Sequence, residues 1–168
     1  LMADRVLAAV REATRDGELP IITDASSCTE GFHRMLDGHG FRLEDATTFV
    51  AREVLPKLSV SERIDSLTLH PTCSSVELGI DPDVRVIADA VADVVNVPVS
   101  WNCCGFAGDR GMLHPELTAS ATAAEAAEVA ELDATAHASC NRTCELGMAR
   151  ATGRPYSHIL ELLAAATV

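Results

Sequence analysis

Apolar residues recur along this chain at two different periods, and the two alternate. From Met2 to Arg15, Val6, Leu7, Val10 and Ala13 share one helical face, and Asp16-Gly17 closes the segment. Leu19-Pro20-Ile21-Ile22-Thr23 is a short apolar run ending at Asp24 and reads as a buried strand. Helical spacing returns over 29–38 and 43–58, the second with Phe49, Val50, Val54 and Leu55 inward. Ser66 to His70 predicts the next strand, followed directly by Pro71-Thr72-Cys73. Pro82 to Val95 predicts a helix with Pro82 in its first turn. Val97 to Trp101 predicts a third strand, Pro115 to Glu131 an Ala-rich helix, and Asp133 to Ala138 a fourth, weaker strand. Two short helices, 142–151 and 155–166, complete the chain.

Strand and helix in alternation, with short connections, are the grammar of a parallel sheet covered by helices. The expected fold is α/β: a three-layer, Rossmann-like, mostly parallel sheet of about four strands flanked by helices. A length of 168 residues fits a single domain spanning 1–168. The chain begins at Leu1 without the order of a signal peptide and reads as a piece cut from a longer polypeptide.

Composition narrows the partners. Asp and Glu outnumber Lys and Arg by 25 to 13, giving a formal charge of −12. So acidic a surface is repelled by phosphate backbones and anionic membranes, which argues against nucleic acid as a partner. No apolar run reaches the roughly 20 residues that a membrane span needs.

Six cysteines change the picture most. On the map above Cys28 follows the first strand, Cys73 the second, Cys103 and Cys104 the third, and Cys140 and Cys144 the fourth. In an open α/β sheet, parallel strands bring such positions to one edge, where ligands bind. No secretion signal accompanies them, which favours reduced thiols and metal or redox chemistry in a cytoplasmic setting over a disulfide scaffold. The loop after Cys103-Cys104, Gly105-Phe106-Ala107-Gly108-Asp109-Arg110-Gly111, carries three glycines. Gly105 and Gly108 permit a close backbone approach to a cofactor, and loop amides can donate to sulfur. A phosphate loop is the weaker reading, because G-x-x-G-x-x-G is not G-x-G-x-x-G and no Lys follows.

Cys73, the run Cys103-Cys104-Gly105, and the closing Cys140 and Cys144 resemble the signature of the CCG, or cysteine-rich, domain family. That family includes the cysteine-rich subunit of heterodisulfide reductase and the iron–sulfur subunits of glycolate oxidase, lactate oxidation and anaerobic glycerol-3-phosphate dehydrogenase. Cys103 to Gly111 together with Asn141 to Glu145 and His70-Pro71-Thr72-Cys73 is most similar to the carboxyl-terminal region of long FAD-linked D-lactate or 2-hydroxyacid dehydrogenases. The resemblance implies an electron-transfer role, passing electrons between flavin and ferredoxin-like domains of the same polypeptide and an unidentified acceptor, with FAD bound outside these residues. It also implies a 4Fe-4S cluster, in one branch a noncubane one held by five cysteines. Carried over, the ligands are Cys73, Cys103, Cys104 and Cys144, with Cys140 as the fifth. Here the sequence departs from the family: Cys-x-x-Cys would need a cysteine at Asn141, and Cys140 makes the spacing Cys-x-x-x-Cys.

Two other readings stand beside this one. Zinc takes four sulfurs, or three and a histidine. A thiol–disulfide enzyme would use Cys140 and Cys144 but leaves four cysteines unexplained. His70 and His137, at strand ends, read as donors to a ligand or core histidines rather than ligands. Arg110 and Arg142 can balance a negative centre, with Asp109 or Glu145 as an ion-pair partner. Cys28 sits at a helix start, and Trp101 covers the site. Nothing in the chain resembles a flavin or nicotinamide site, so no hydride chemistry is expected of these residues alone.

Overall fold

A computed structural model describes residues 2–167. Its centre is a four-stranded, all-parallel sheet in the order β4-β3-β5-β6, formed by Ile64–Leu69 (β3), Ala92–Asn96 (β4), Ala136–Ser139 (β5) and Ser157–His158 (β6). Ile21–Thr23 (β1) and Leu43–Asp45 (β2) pair in parallel as a separate two-stranded sheet. Helices flank these strands: α1 Met2–Ala13, α2 Ser26–Leu36, α3 Ala46–Phe49, α4 Cys73–Leu78, α5 Asp81–Val91, α6 Arg110–Leu113, α7 Pro115–Leu132, α8 Arg142–Thr152 and α9 Ile159–Ala166. The helix-flanked parallel α/β fold expected from the pattern is the fold observed.

The core lies between the sheet and α5 and α9, where Leu67, Leu69, Val84, Ile87, Val91, Ala138, Ile159 and Leu163 are buried together. Leu67 pairs with both Val95 and Ala136, which fixes β3 in the middle. A strand buried on both faces needs the nearly continuous apolar run Leu67-Thr68-Leu69.

Several boundaries differ from the pattern, four of them in kind. The helix expected to run to Val95 stops at Val91, because Ala92–Asn96 pairs with Ile64–Thr68 and the backbone extends. The strand expected at 97–101 is irregular. Val99 is 95 % exposed, and the Val99 and Ser100 amides donate to the Glu128 carboxylate instead of to a neighbouring strand. Leu43–Asp45, assigned to a helix by spacing, is strand β2, and Asp45 then caps α3 by accepting from the Thr47 amide at 2.9 Å. Ser157–His158, expected within the last helix, is the edge strand β6.

Strand order decides where the chemistry sits. The chain leaves β3 for β4 on one side, then crosses through α7 to β5 on the other. The crevice outside the carboxyl ends of β3 and β5 is therefore the switch point at which open α/β sheets bind ligands.

Candidate metal centre

His70 follows β3 directly and stays tied to its neighbour strand: its amide donates to the Ala138 carbonyl at 2.9 Å, and Ser139 Oγ donates to the His70 carbonyl at 2.9 Å. Three residues later Cys73 opens α4. That helix starts there because Thr72 and Ser75 form a reciprocal cap, each side chain accepting the other's backbone amide at 2.9 Å. Across the crevice, Asn141 precedes α8, whose first turn carries Cys144. Cys103 and Cys104 arrive on the loop after β4, held in place by Trp101, whose Nε1 donates to the Pro71 carbonyl at 2.6 Å.

These elements bring Cys104 and Cys144 together with their sulfurs 3.1 Å apart, both buried. A ring nitrogen of His70 joins them, and the three donor atoms lie within 4.8 Å of one another. Cys73 and Cys103 are more exposed and adjoin this group, Cys73 against the Cys103 thiol and within reach of Cys104. Cys140, immediately after β5, is buried but turned elsewhere, with Thr72 Oγ1 at 3.9 Å and Ser26 Oγ at 4.0 Å. Cys28 is exposed in the first turn of α2, outside the group.

The thiols divide by their surroundings. Cys104 accepts the Cys144 S–H and also feels His70 and the Phe106 amide. Against the cost of burial, these lower it to about 5, so it is a thiolate at neutral pH. Cys144 is raised well above the ordinary thiol value, because it is the proton donor of that pair and is buried. Burial and the neighbouring Cys103 push Cys73 up to about 12, and burial pushes Cys140 up to about 11. Burial works against a charged His70, but the nearby Cys104 sulfur and the Glu125 carboxylate outweigh it and hold its pKa above the usual value.

The glycine loop is shaped by packing. Gly105 has φ +66°, and a Cβ there would meet Ala121 Cβ at 2.9 Å and the Leu117 carbonyl oxygen at 3.1 Å, so only glycine lets the loop lie on α7. Its amide approaches Cys103 Sγ at 3.5 Å, which with the Phe106 amide gives two loop N–H groups directed at sulfur. Gly108 has φ +71° with open space around it.

Of the remaining candidates, Arg142 pairs with Glu145, Nη1 to Oε2 at 2.9 Å, which makes Glu145 rather than Asp109 the ion-pair partner. His137 is a core residue, its ring 5.2 Å from that of Tyr156. A cleft of about 560 Å³ lined by Asp24, Arg142, Glu145, His158 and Glu161 contains none of the six thiols. Sequence reasoning missed Glu125 of α7, which is buried and receives His70 Nδ1–H on Oε1 at 2.7 Å. Thr118, Thr122, Glu125 and Val129 form the buried stripe of α7, and Glu125 is its only charge; the alanine-rich sequence of α7 does not single that stripe out.

Residues 67–149 match the family model of the cysteine-rich domain, CCG. This segment is a CCG cysteine-rich domain. It begins in β3 and ends in α8, so it contains His70, five of the six cysteines and Glu125, and leaves out β1, β2, β6 and the terminal helices. No curated protein matches the chain. No described helix is long and apolar enough to cross a membrane.

The donors of the CCG domain suit a metal or an iron–sulfur group. Two buried sulfurs, one already a thiolate, and an imidazole are soft to borderline donors, the set that zinc and iron–sulfur centres select over calcium or magnesium. The same closeness sets how the metal-free domain oxidises. With peroxide, the Cys104 thiolate forms a sulfenic acid. Cys144 then displaces water from it, giving a disulfide, since a 3.1 Å approach needs little movement to reach the bond length of about 2.05 Å. Peptide mapping after differential alkylation should show Cys104–Cys144 as the first disulfide, ahead of a bond from Cys73 to Cys103 or Cys104.

Proposed function

We propose that this CCG domain is the electron-transfer module of a FAD-linked 2-hydroxyacid dehydrogenase of the D-lactate or glycolate type, holding a 4Fe-4S cluster. The convergence of Cys104 and Cys144 with His70 at the switch-point crevice carries this reading, with Cys73 and Cys103 adjoining. Cys73, Cys103, Cys104 and Cys144 are the proposed thiolate ligands, and Cys140 is the candidate fifth. When bound, such a cluster supplies one-electron redox capacity. The chain's own residues supply the rest. Buried Cys104 and Cys144 fix one side of the site, exposed Cys73 and Cys103 leave the other open toward a flavin or ferredoxin-like domain, and the Gly105 and Phe106 amides stabilise negative charge on sulfur.

Reconstitution with iron and sulfide without oxygen tests this. The expected result is bound iron and sulfide with a visible absorption that bleaches on reduction. Cys104→Ser and Cys144→Ser should lose most of it, because a serine oxygen is a harder, poorly ionised donor. Cys28→Ser should lose none. For Cys140→Ser, iron loss equal to that of Cys144→Ser identifies a five-thiolate site, and unchanged iron a four-thiolate one. Parent-like iron binding by Cys104→Ser would refute the reading. A structural zinc site is the second reading, favoured by the imidazole beside the two buried thiols. It predicts a colourless domain that retains zinc and takes up no iron.

A further inference from the structure

Glu125 is a buried acid whose cost calls for a task. It projects from α7 at 1 % exposure, and its Oε2 has no hydrogen-bond partner among the described residues. Its one short polar contact is with His70 Nδ1, at 2.7 Å, and His70 is equally buried. A buried carboxylate with one oxygen unpaired is less favourable there than an apolar residue of the same size, because burying an ion has a cost that incomplete pairing does not recover. A core histidine would need no such partner.

The histidine shows what the carboxylate achieves. With Nδ1–H donated to Glu125, the proton is fixed on Nδ1 and the lone pair on Nε2. That Nε2 is itself buried and has no hydrogen-bond partner among the described residues. It is the nitrogen left free on a ring that lies within 4.8 Å of both the Cys104 and Cys144 sulfurs. A backbone anchored at both its amide and its carbonyl, a ring held at one nitrogen by a buried carboxylate, and the other nitrogen unpaired beside two thiols make up the carboxylate–histidine–metal arrangement in its metal-free form.

We propose that His70 is a metal ligand through Nε2, and that Glu125 is the positioning residue that fixes its ring and tautomer for that bond. The centre is then a mixed nitrogen–sulfur site built on His70, Cys104 and Cys144, and Cys73 and Cys103 are the thiols nearest at hand for the remaining positions. This deepens the reading of the domain as a metal or iron–sulfur module and rests on it. It differs from an all-cysteine ligand set at one position.

X-ray absorption at the metal edge tests the ligand directly, on the parent protein loaded either with zinc or, without oxygen, with iron and sulfide. The expected result is a sulfur shell plus imidazole scattering from one histidine, and His70→Ala should lose the imidazole component while keeping sulfur. Glu125→Gln keeps the side chain's size and a hydrogen-bond acceptor but removes the charge. It should weaken zinc binding about 10- to 100-fold in competition with a chromophoric chelator, the usual effect of losing a carboxylate behind a ligating histidine. An all-sulfur shell in the parent protein overturns the inference and leaves the metal module standing. A parent protein that takes up neither zinc nor iron overturns both. Zinc affinity in Glu125→Gln equal to the parent's removes Glu125 as a positioning residue, and because the absorption measurement uses the parent protein, the His70 result does not depend on how any variant folds.

Discussion

Phe106→Ala will destabilise the metal-free domain by about 3–5 kcal/mol, the largest effect expected of any single truncation near the site. Phe106 sits in the loop after Cys104, fully buried, and packs with Cys104, Cys144 and Leu146. Its walls are backbone with little freedom to follow it inward. A Cβ on Gly111 would stand 2.6 Å from the ring, one on Gly147 would stand 3.5 Å away, and the Arg150 guanidinium lies 5.5 Å from the ring centroid. Glycines that have already closed around a side chain cannot close further, so the deleted ring leaves a cavity rather than a collapsed core. Urea unfolding should show a lower midpoint with an unchanged slope. A loss under about 1 kcal/mol would show that the ring is not enclosed in this way.

The second large effect is on pH dependence. Cys104 has a folded pKa of about 5, below that of an unfolded thiol, so its contribution to stability is present above the ordinary thiol value and is lost as pH falls through about 5. Cys144, Cys73 and Cys140 are displaced the other way, so what they contribute is present below the ordinary thiol value and is lost above it. The metal-free domain should therefore become more stable from pH 5 towards the ordinary thiol pKa of about 8.5, with a slope on the order of 1.4 kcal/mol per pH unit at most, and less stable beyond it. Cys104→Ser should flatten the rising limb. Denaturation midpoints across this range, measured without metal and with reductant, check the prediction; an unchanged rising limb in Cys104→Ser would assign it to other groups.

The alternation of periods was sufficient to read an α/β fold with parallel strands, because β3 and the helices around it carry unambiguous spacing. It was insufficient between Val91 and Trp101. There Val91, Val94, Val95, Val97 and Val99 satisfy either period locally, and only the partner strand decides. Residues 92–96 pair with β3, and Val97 to Trp101 are left at the edge, anchored by Glu128 from a distant helix. The convergence of Cys104 and Cys144 was legible because both follow strands of one parallel sheet. The different fate of Cys140 was not, since it lies in the connection between β5 and α8, where helical spacing does not apply, and its thiol faces Thr72 and Ser26 whereas Cys144, four residues on in α8, faces Cys104. Glu125 lay in a helix dominated by alanine and glutamate, where one acidic residue looks like any other until the buried stripe is known.

The crossing of the chain through α7 also sets an order in time. His70 and Glu125 are 55 residues apart, and Cys104 and Cys144 are 40 apart. Cys144 lies in α8, so its pair with Cys104 cannot form until α8 has followed β5 into place beside β3, and contacts of such long range are slow to form. During synthesis on the ribosome, the donors therefore emerge singly and stay scattered until α8 is complete. A chain stalled before that point exposes thiols but no pocket, so an ion that needs all of these donors is captured only by a finished domain.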